Sequence, residues 1–184
     1  AQGSLAAGTS GVGFSQQNFN ISSLETSGVD VQAMYGFSAG SYGDMTVDYA
    51  GTFLDKLASV PFPGADAIPC AGNFGNNCAL GAGSNPEYRH RVNLTWATNM
   101  PGVDVVAVWR HFGETDTDDT GDTLETPMDA VNYIDVVGMY QATEAMSLKV
   151  GVLNLFGEEP PVYSGAGPAL GNGNTYPTTY DTST

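Results

Sequence analysis

Residues 131–156, VNYIDVVGMYQATEAMSLKVGVLNLF, alternate with a period of two on both sides of a short polar turn. Ile134, Val136, Gly138 and Tyr140 share one face of the first half, and Met146, Leu148, Val150 and Val152 share one face of the second. The opposite faces carry Asp135 and Lys149 among smaller or mixed residues. Such alternation marks a β-hairpin with one apolar and one polar side. Each half is also long enough to cross a bilayer as a tilted strand, which takes about 9–11 residues. The apolar side therefore faces either a protein core or lipid.

The same pattern recurs upstream. Residues 18–37 read as one long strand, bulged near Thr26 to Gly28, with Val29, Val31, Ala33, Tyr35 and Phe37 on one face. SAGSYGD is a turn, after which Met45, Val47, Tyr49, Gly51 and Phe53 alternate with Asp44, Thr46, Asp48, Ala50 and Thr52. Asp44 and Asp48 would be costly in a dry core but not against water, which favours a barrel with a polar interior over a closed sandwich. Tyr88 to Thr98 alternates again, NMPG makes a tight connection, and Val103 to Phe112 returns with apolar residues on both faces, leaving its facing open. Residues 56–87, 113–130 and 157–184 read as long loops and residues 1–17 as a leading one. The expected fold class is all-β: six antiparallel up-and-down strands between residues 18 and 156, in a single unit over 1–184. Long and short connections alternate, as in transmembrane β-barrels with long extracellular loops and short periplasmic turns. Aromatics near strand ends (Tyr88, Trp96, Trp109, Phe112, Tyr133, Tyr140) suit interfacial girdles.

Charge narrows the function classes. With 20 Asp and Glu against 5 Lys and Arg, the chain carries a formal charge of −15. Phosphate backbones would repel it, so nucleic acid is not an expected partner. No apolar run reaches the length of a transmembrane helix, which leaves a membrane barrel open. The first residues, AQGSLAAGTSGVG, lack a basic stretch followed by an apolar one and do not read as a signal peptide.

Cys70 and Cys78 in CAGNFGNNC enclose a short Gly- and Asn-rich loop, and a disulfide is expected, which implies an exported protein. Two free thiols or half of a metal site is the alternative. In DTDDTGD, Asp116, Asp118, Thr120 and Gly121 are spaced like the start of a calcium loop, and Asp116, Asp118, Asp119 and Asp122 are the candidate ligands, but Pro127 stands where a twelfth-position acid belongs. A solvated acidic loop is the competing reading. Arg89, His90 and Arg91 concentrate much of the positive charge. Neither His90 nor His111 has partners for a nucleophile–base set, so no enzyme is expected.

Taken in order, NISSLETSGVDVQAMY, CAGNFGNNC, PEYRHRVNLTW, YIDVVGMY, LKVGVLNLFGEEPP and NTYPTTYD resemble the C-terminal part of TonB-dependent outer-membrane receptors. The resemblance implies six strands of a larger, 22-stranded barrel in the cell outer membrane, closed by a plug and importing a scarce solute with energy coupled through TonB. Its partners would be outer-membrane lipid, the remainder of the barrel with its plug, and TonB. The resemblance also implies that Arg89 and Arg91 point to the lumen and pair with Asp or Glu on neighbouring strands, with a substrate-binding role as the alternative. The plug, the TonB-contacting segment, the earlier strands and the closing strand have no counterpart within residues 1–184. A piece of a longer protein is therefore expected. Two alternatives stand beside it: an exported fragment assembling with copies of itself into an extracellular fibre, and a soluble calcium-binding adhesin-like β-sandwich.

Overall fold

The computed structural model of the chain describes residues 23–75, 78, 84–118, 127–162 and 180. Nine strands follow in order among them: β1 (Ser23–Ser38), β2 (Gly43–Val60), β3 (Ile68–Pro69), β4 (Asn73–Phe74), β5 (Tyr88–Thr98), β6 (Val103–Phe112), β7 (Asp116–Thr117), β8 (Val131–Thr143) and β9 (Met146–Val152). Six of them form an antiparallel up-and-down sheet in the order β1-β2-β5-β6-β8-β9, with β3 added beside the far end of β2. Among the described residues, the outer edges of β1 and β9 pair with no further strand. A short 3-10 turn, Gly40–Tyr42, joins β1 to β2.

The expected elements appear with several corrected limits. The bulge falls between Ser27 and Gly28, where a Cβ on Gly28 would stand 2.5 Å from the Phe53 carbonyl oxygen. Residues 18–22 of the first expected strand lie outside the described residues. β2 runs on to Val60, into the region read as loop, because Ser23–Ser27 continue to pair with it beyond the last β2–β5 pair, Phe53 with Tyr88. The last strand stops at Val152 rather than Phe156. There the Asn154 amide donates to Asp135 Oδ1 at 2.8 Å, Asn154 takes a positive φ of 49°, and its side chain closes a turn with the Glu158 backbone.

Beyond β5, the β1–β2 ribbon is fastened by an ion pair between Lys56 and Glu25. Hydrogen bonding by the Lys56 ammonium, then its charge, holds the Glu25 carboxyl below its ordinary range. A carboxyl lowered in the folded state contributes stability above its ordinary pKa and loses it as pH falls through the folded value. Protection of the Ser23–Ser27 amides, taken relative to intrinsic exchange at each pH, should therefore fall as pH drops below about 4, and Lys56→Gln should remove that fall.

Register settles which side chains share a face. One face carries Val31, Ala33, Tyr35 and Phe37 of β1, Met45, Val47 and Tyr49 of β2, and Val92, Leu94 and Trp96 of β5. It continues through Val103, Val105, Ala107 and Trp109 of β6, Ile134, Val136 and Tyr140 of β8, and Leu148, Val150 and Val152 of β9. The other face carries Asp30, Gln32, Asp44, Thr46, Asp48, Arg89, Arg91, Asn93, Asp104, Arg110, Asp135 and Lys149. The open facing of β6 is thereby resolved: Trp109 stands opposite Val92 on the apolar side, and Arg110 opposite Arg91 on the polar one.

No second layer among the described residues covers the apolar face. Leu148 is 59 % and Val150 63 % exposed, and β1 is exposed along its whole length. The sandwich alternative needs such a layer. Among the described residues the packed apolar cluster lies instead where the connections fold over the polar face: Phe74, Met128, Val131, Tyr133 and Tyr180, with Phe112 against them. Phe112 and Tyr133 therefore belong to this cluster, not to a girdle as expected. Tyr88, Trp96, Trp109 and Tyr140 do lie on the apolar face, near the strand ends.

Candidate functional site

The polar face near the long connections holds three of the chain's five basic side chains. Arg89 and Arg91 are two apart on β5 and so project the same way, and Arg110 of β6 lies directly across from Arg91. They border a trough of about 270 Å³ lined by Asp30–Gln32, Ala50–Thr52, Arg89–Arg91 and Arg110–Phe112. In each triplet the outer two residues belong to the polar face, so their side chains form the walls and the backbone of Val31, Gly51, His90 and His111 the floor.

The three arginines are compensated unequally. Arg110 Nη2 reaches the Asp135 carboxylate at 3.1 and 3.3 Å, and its guanidinium lies 5.2 Å from the Tyr133 ring centroid. Arg91 Nε donates to Asn93 Oδ1 at 3.0 Å, a neutral partner. Among the described residues neither Arg89 nor Arg91 forms an ion pair, correcting the expectation that both would. Asp30, in the same row as Arg89, accepts a hydrogen bond from Thr52 at 2.7 Å. The pairing of Arg110 with Asp135 was missed from sequence; the signal was a lone arginine in β6 and a lone acidic side chain in β8. Asp135 is largely buried and accepts from both Arg110 and the Asn154 amide. Asp135→Asn removes the charge from that junction and should lower stability by about 1.5 kcal/mol in denaturant titration.

On the other side of the sheet, rings gather at the same level. His90 stacks on His111 at 4.9 Å and meets Trp109 edge-on at 4.4 Å, while Phe53 stacks on Tyr88 at 4.7 Å. Trp109 Nε1 donates to Asn132 Oδ1 at 2.9 Å, which also lies 3.0 Å from His111 Nδ1. Trp96, near the short-turn end, donates to the Tyr42 carbonyl at 2.7 Å.

Above the trough, the two long connections are fastened together. Cys70 and Cys78 are joined as a disulfide, and both are fully buried. β4 pairs in parallel with β7, and Asp118 Oδ2 accepts from the Cys78 amide at 2.7 Å. Gly75 is required here: a Cβ would stand 2.0 Å from Asp118 Oδ1. Of the candidate calcium ligands, Asp118 is thus engaged with the disulfide loop and Asp116 Oδ1 accepts from the Thr117 amide at 2.8 Å. Asp119 and Asp122 lie outside the described residues, and no group of three acidic, His or Cys side chains placed to hold a metal occurs among those described. Compared with protein-family models, curated proteins and solved structures, the chain gives no match.

Proposed function

We propose that the chain is part of the wall of an outer-membrane transport barrel of the TonB-dependent receptor class, which imports a solute through its polar interior. The observation that carries this reading is the apolar face, continuous across six strands and uncovered by any other described part of the chain. In water such a surface would be far larger than the patches soluble monomers expose. In lipid it is the expected outer surface of a barrel, with a polar lumen on the other side. The 11 residues of β5 extend about 36 Å, or about 25 Å across a membrane at a 45° tilt. That matches the height of an outer-membrane apolar band. Aromatic rings at both ends of that face sit where the two interfaces would lie. β1 and β9 join further strands of the same barrel, and the disulfide-fastened connections cover its external mouth.

The test is fractionation of the native polypeptide. It should sediment with outer membranes, resist carbonate extraction and require detergent to stay monodisperse, and uptake of its solute should stop in cells lacking TonB. A polypeptide that is soluble and monodisperse without detergent would overturn the reading. A second reading, self-assembly into an extracellular fibre, rests on the edges of β1 and β9 that pair with no further strand among the described residues. Filaments in electron micrographs, joined by strand pairing between copies, would select it.

A further inference from the structure

We propose that Arg89 and Arg91 form an anion-binding subsite for a solute bearing carboxylate or phosphate groups. The inference rests on the transport reading and names the chemical class of what passes the polar face.

Two like charges, Arg91 and Arg110, stand opposite each other on adjacent antiparallel strands, an arrangement that is destabilising unless compensated. Asp135 neutralises Arg110 alone. Asp30, two strands from Arg89 in the same row, is turned to Thr52; Asp48, diagonal to Arg91 across β2 and β5, forms no ion pair with it; and the side chain that holds Arg91 is an amide. Among the described residues, two guanidinium groups thus form no ion pair beside a trough of about 270 Å³, in a chain whose net charge is −15. Of the residues lining that trough Asp30 alone is acidic, and it accepts a hydrogen bond from Thr52. Arginines two apart along a strand are separated by about 7 Å, within the span of a single polyanion. Each guanidinium offers paired N–H donors that match a carboxylate or phosphate edge. Positive charge focused in a trough of an otherwise acidic surface attracts anions at that place and repels them elsewhere.

The experiment uses the native polypeptide in detergent micelles, titrated calorimetrically at low salt with citrate, with inorganic phosphate and, as an uncharged control, with glucose. At least one anion should bind, more weakly as salt rises, and glucose should not. Arg89→Gln/Arg91→Gln should weaken the anion about tenfold or more. Arg89→Lys/Arg91→Lys, which keeps the charge and so the fold, should recover part of that loss. Lys149→Gln, on the same face but at the short-turn end, should leave affinity unchanged. Binding of neither anion, or equal affinity in the wild type and the glutamine variant, overturns the proposal. So does a lowered melting midpoint in that variant with anion affinity intact, since the arginines would then serve a carboxylate of the protein itself. Membrane residence is scored on the same samples. A membrane-inserted protein that binds no anion removes only the subsite. Anion binding by a protein absent from membranes removes the transport reading and leaves the subsite standing.

Discussion

Replacing Leu94 by arginine is expected to cost about 2–4 kcal/mol of stability in lipid, the penalty for a charge at the bilayer midplane on the outer face of a barrel. Leu94 lies in the row Val47, Leu94, Ala107, Val136 and Val152, aliphatic over five strands and ended by Tyr35 on β1. That row sits between the ends of the apolar face that carry Trp109 and Trp96, and on the transport-barrel reading proposed above it would mark the middle of the hydrocarbon. Two companions give the measurement its meaning. Thr95→Arg, one residue on and therefore on the polar face, should stay within about 0.5 kcal/mol. Val103→Arg, apolar-facing but at the start of β6 beside Tyr140, should cost about 0–1 kcal/mol because its guanidinium reaches the interface. Guanidinium titrations of the native polypeptide refolded into vesicles measure all three. A flat series, with Leu94→Arg no worse than Thr95→Arg, would mean that water and not lipid covers the face.

How far these faces could be read from sequence depended on the strand. In β2 the alternation of Met45, Val47, Tyr49 and Phe53 against Asp44, Thr46, Asp48 and Thr52 defines both the element and its facing. β5 behaves alike, and its limits at Tyr88 and Thr98 are those expected. β6 does not, because Val105 to Val108 are apolar on both sides. Only its pairing, with Val92 opposite Trp109, distinguishes them. Pairing is a non-local property and leaves no period in the chain. The far half of β2 escaped notice for a related reason. Residues 54–60, LDKLASV, lack clean alternation, and they are held extended by β1 on one side and by Ile68 and Pro69 on the other.

The site divides in the same way. The Cys70–Cys78 bond was legible from spacing and composition, and Arg89 and Arg91 stood out as concentrated charge. What they contact was not legible. Whether a carboxylate or an amide stands beside Arg91 is decided by side-chain direction, and Asn93 takes the place an acid was expected to fill. The apolar cluster over the polar face was invisible because Phe74 and Met128 come from connections without periodicity. They meet only when β4 and β7 pair and Thr115 bridges Met128.

That cluster depends on the disulfide, and Cys70→Ser/Cys78→Ser should cost about 2.5 kcal/mol of local stability, from the chain entropy of so short a loop. The bond spans a sequence separation of 8, and each end is tied to a different element. The Cys70 amide donates to the Leu57 carbonyl of β2 at 2.7 Å, and the Cys78 amide to Asp118 in the neighbouring connection at 2.7 Å. Between them, Gly72 and Phe74 accept from the amides of Asp116 and Asp118, both at 2.8 Å. Without the sulfur bridge the segment bearing Phe74 loses its shortest constraint, and the buried ring is released together with β4 and β7. The loss is expected to be local, because the six long strands pair without help from this segment. Proteinase K should therefore cut the double-serine variant near residues 70–78 while leaving the paired strands intact, and the amide of Asp118 should exchange faster. Asp118→Ala with the disulfide present should give the same pattern at a smaller cost, about 1–2 kcal/mol, since a charged acceptor is lost but the covalent link remains. Combining the two should cost less than the sum, because both changes release one anchored segment. Additive costs would mean that the disulfide and Asp118 act on separate parts of the connections, and unaltered protease resistance would mean that the apolar cluster holds them without either.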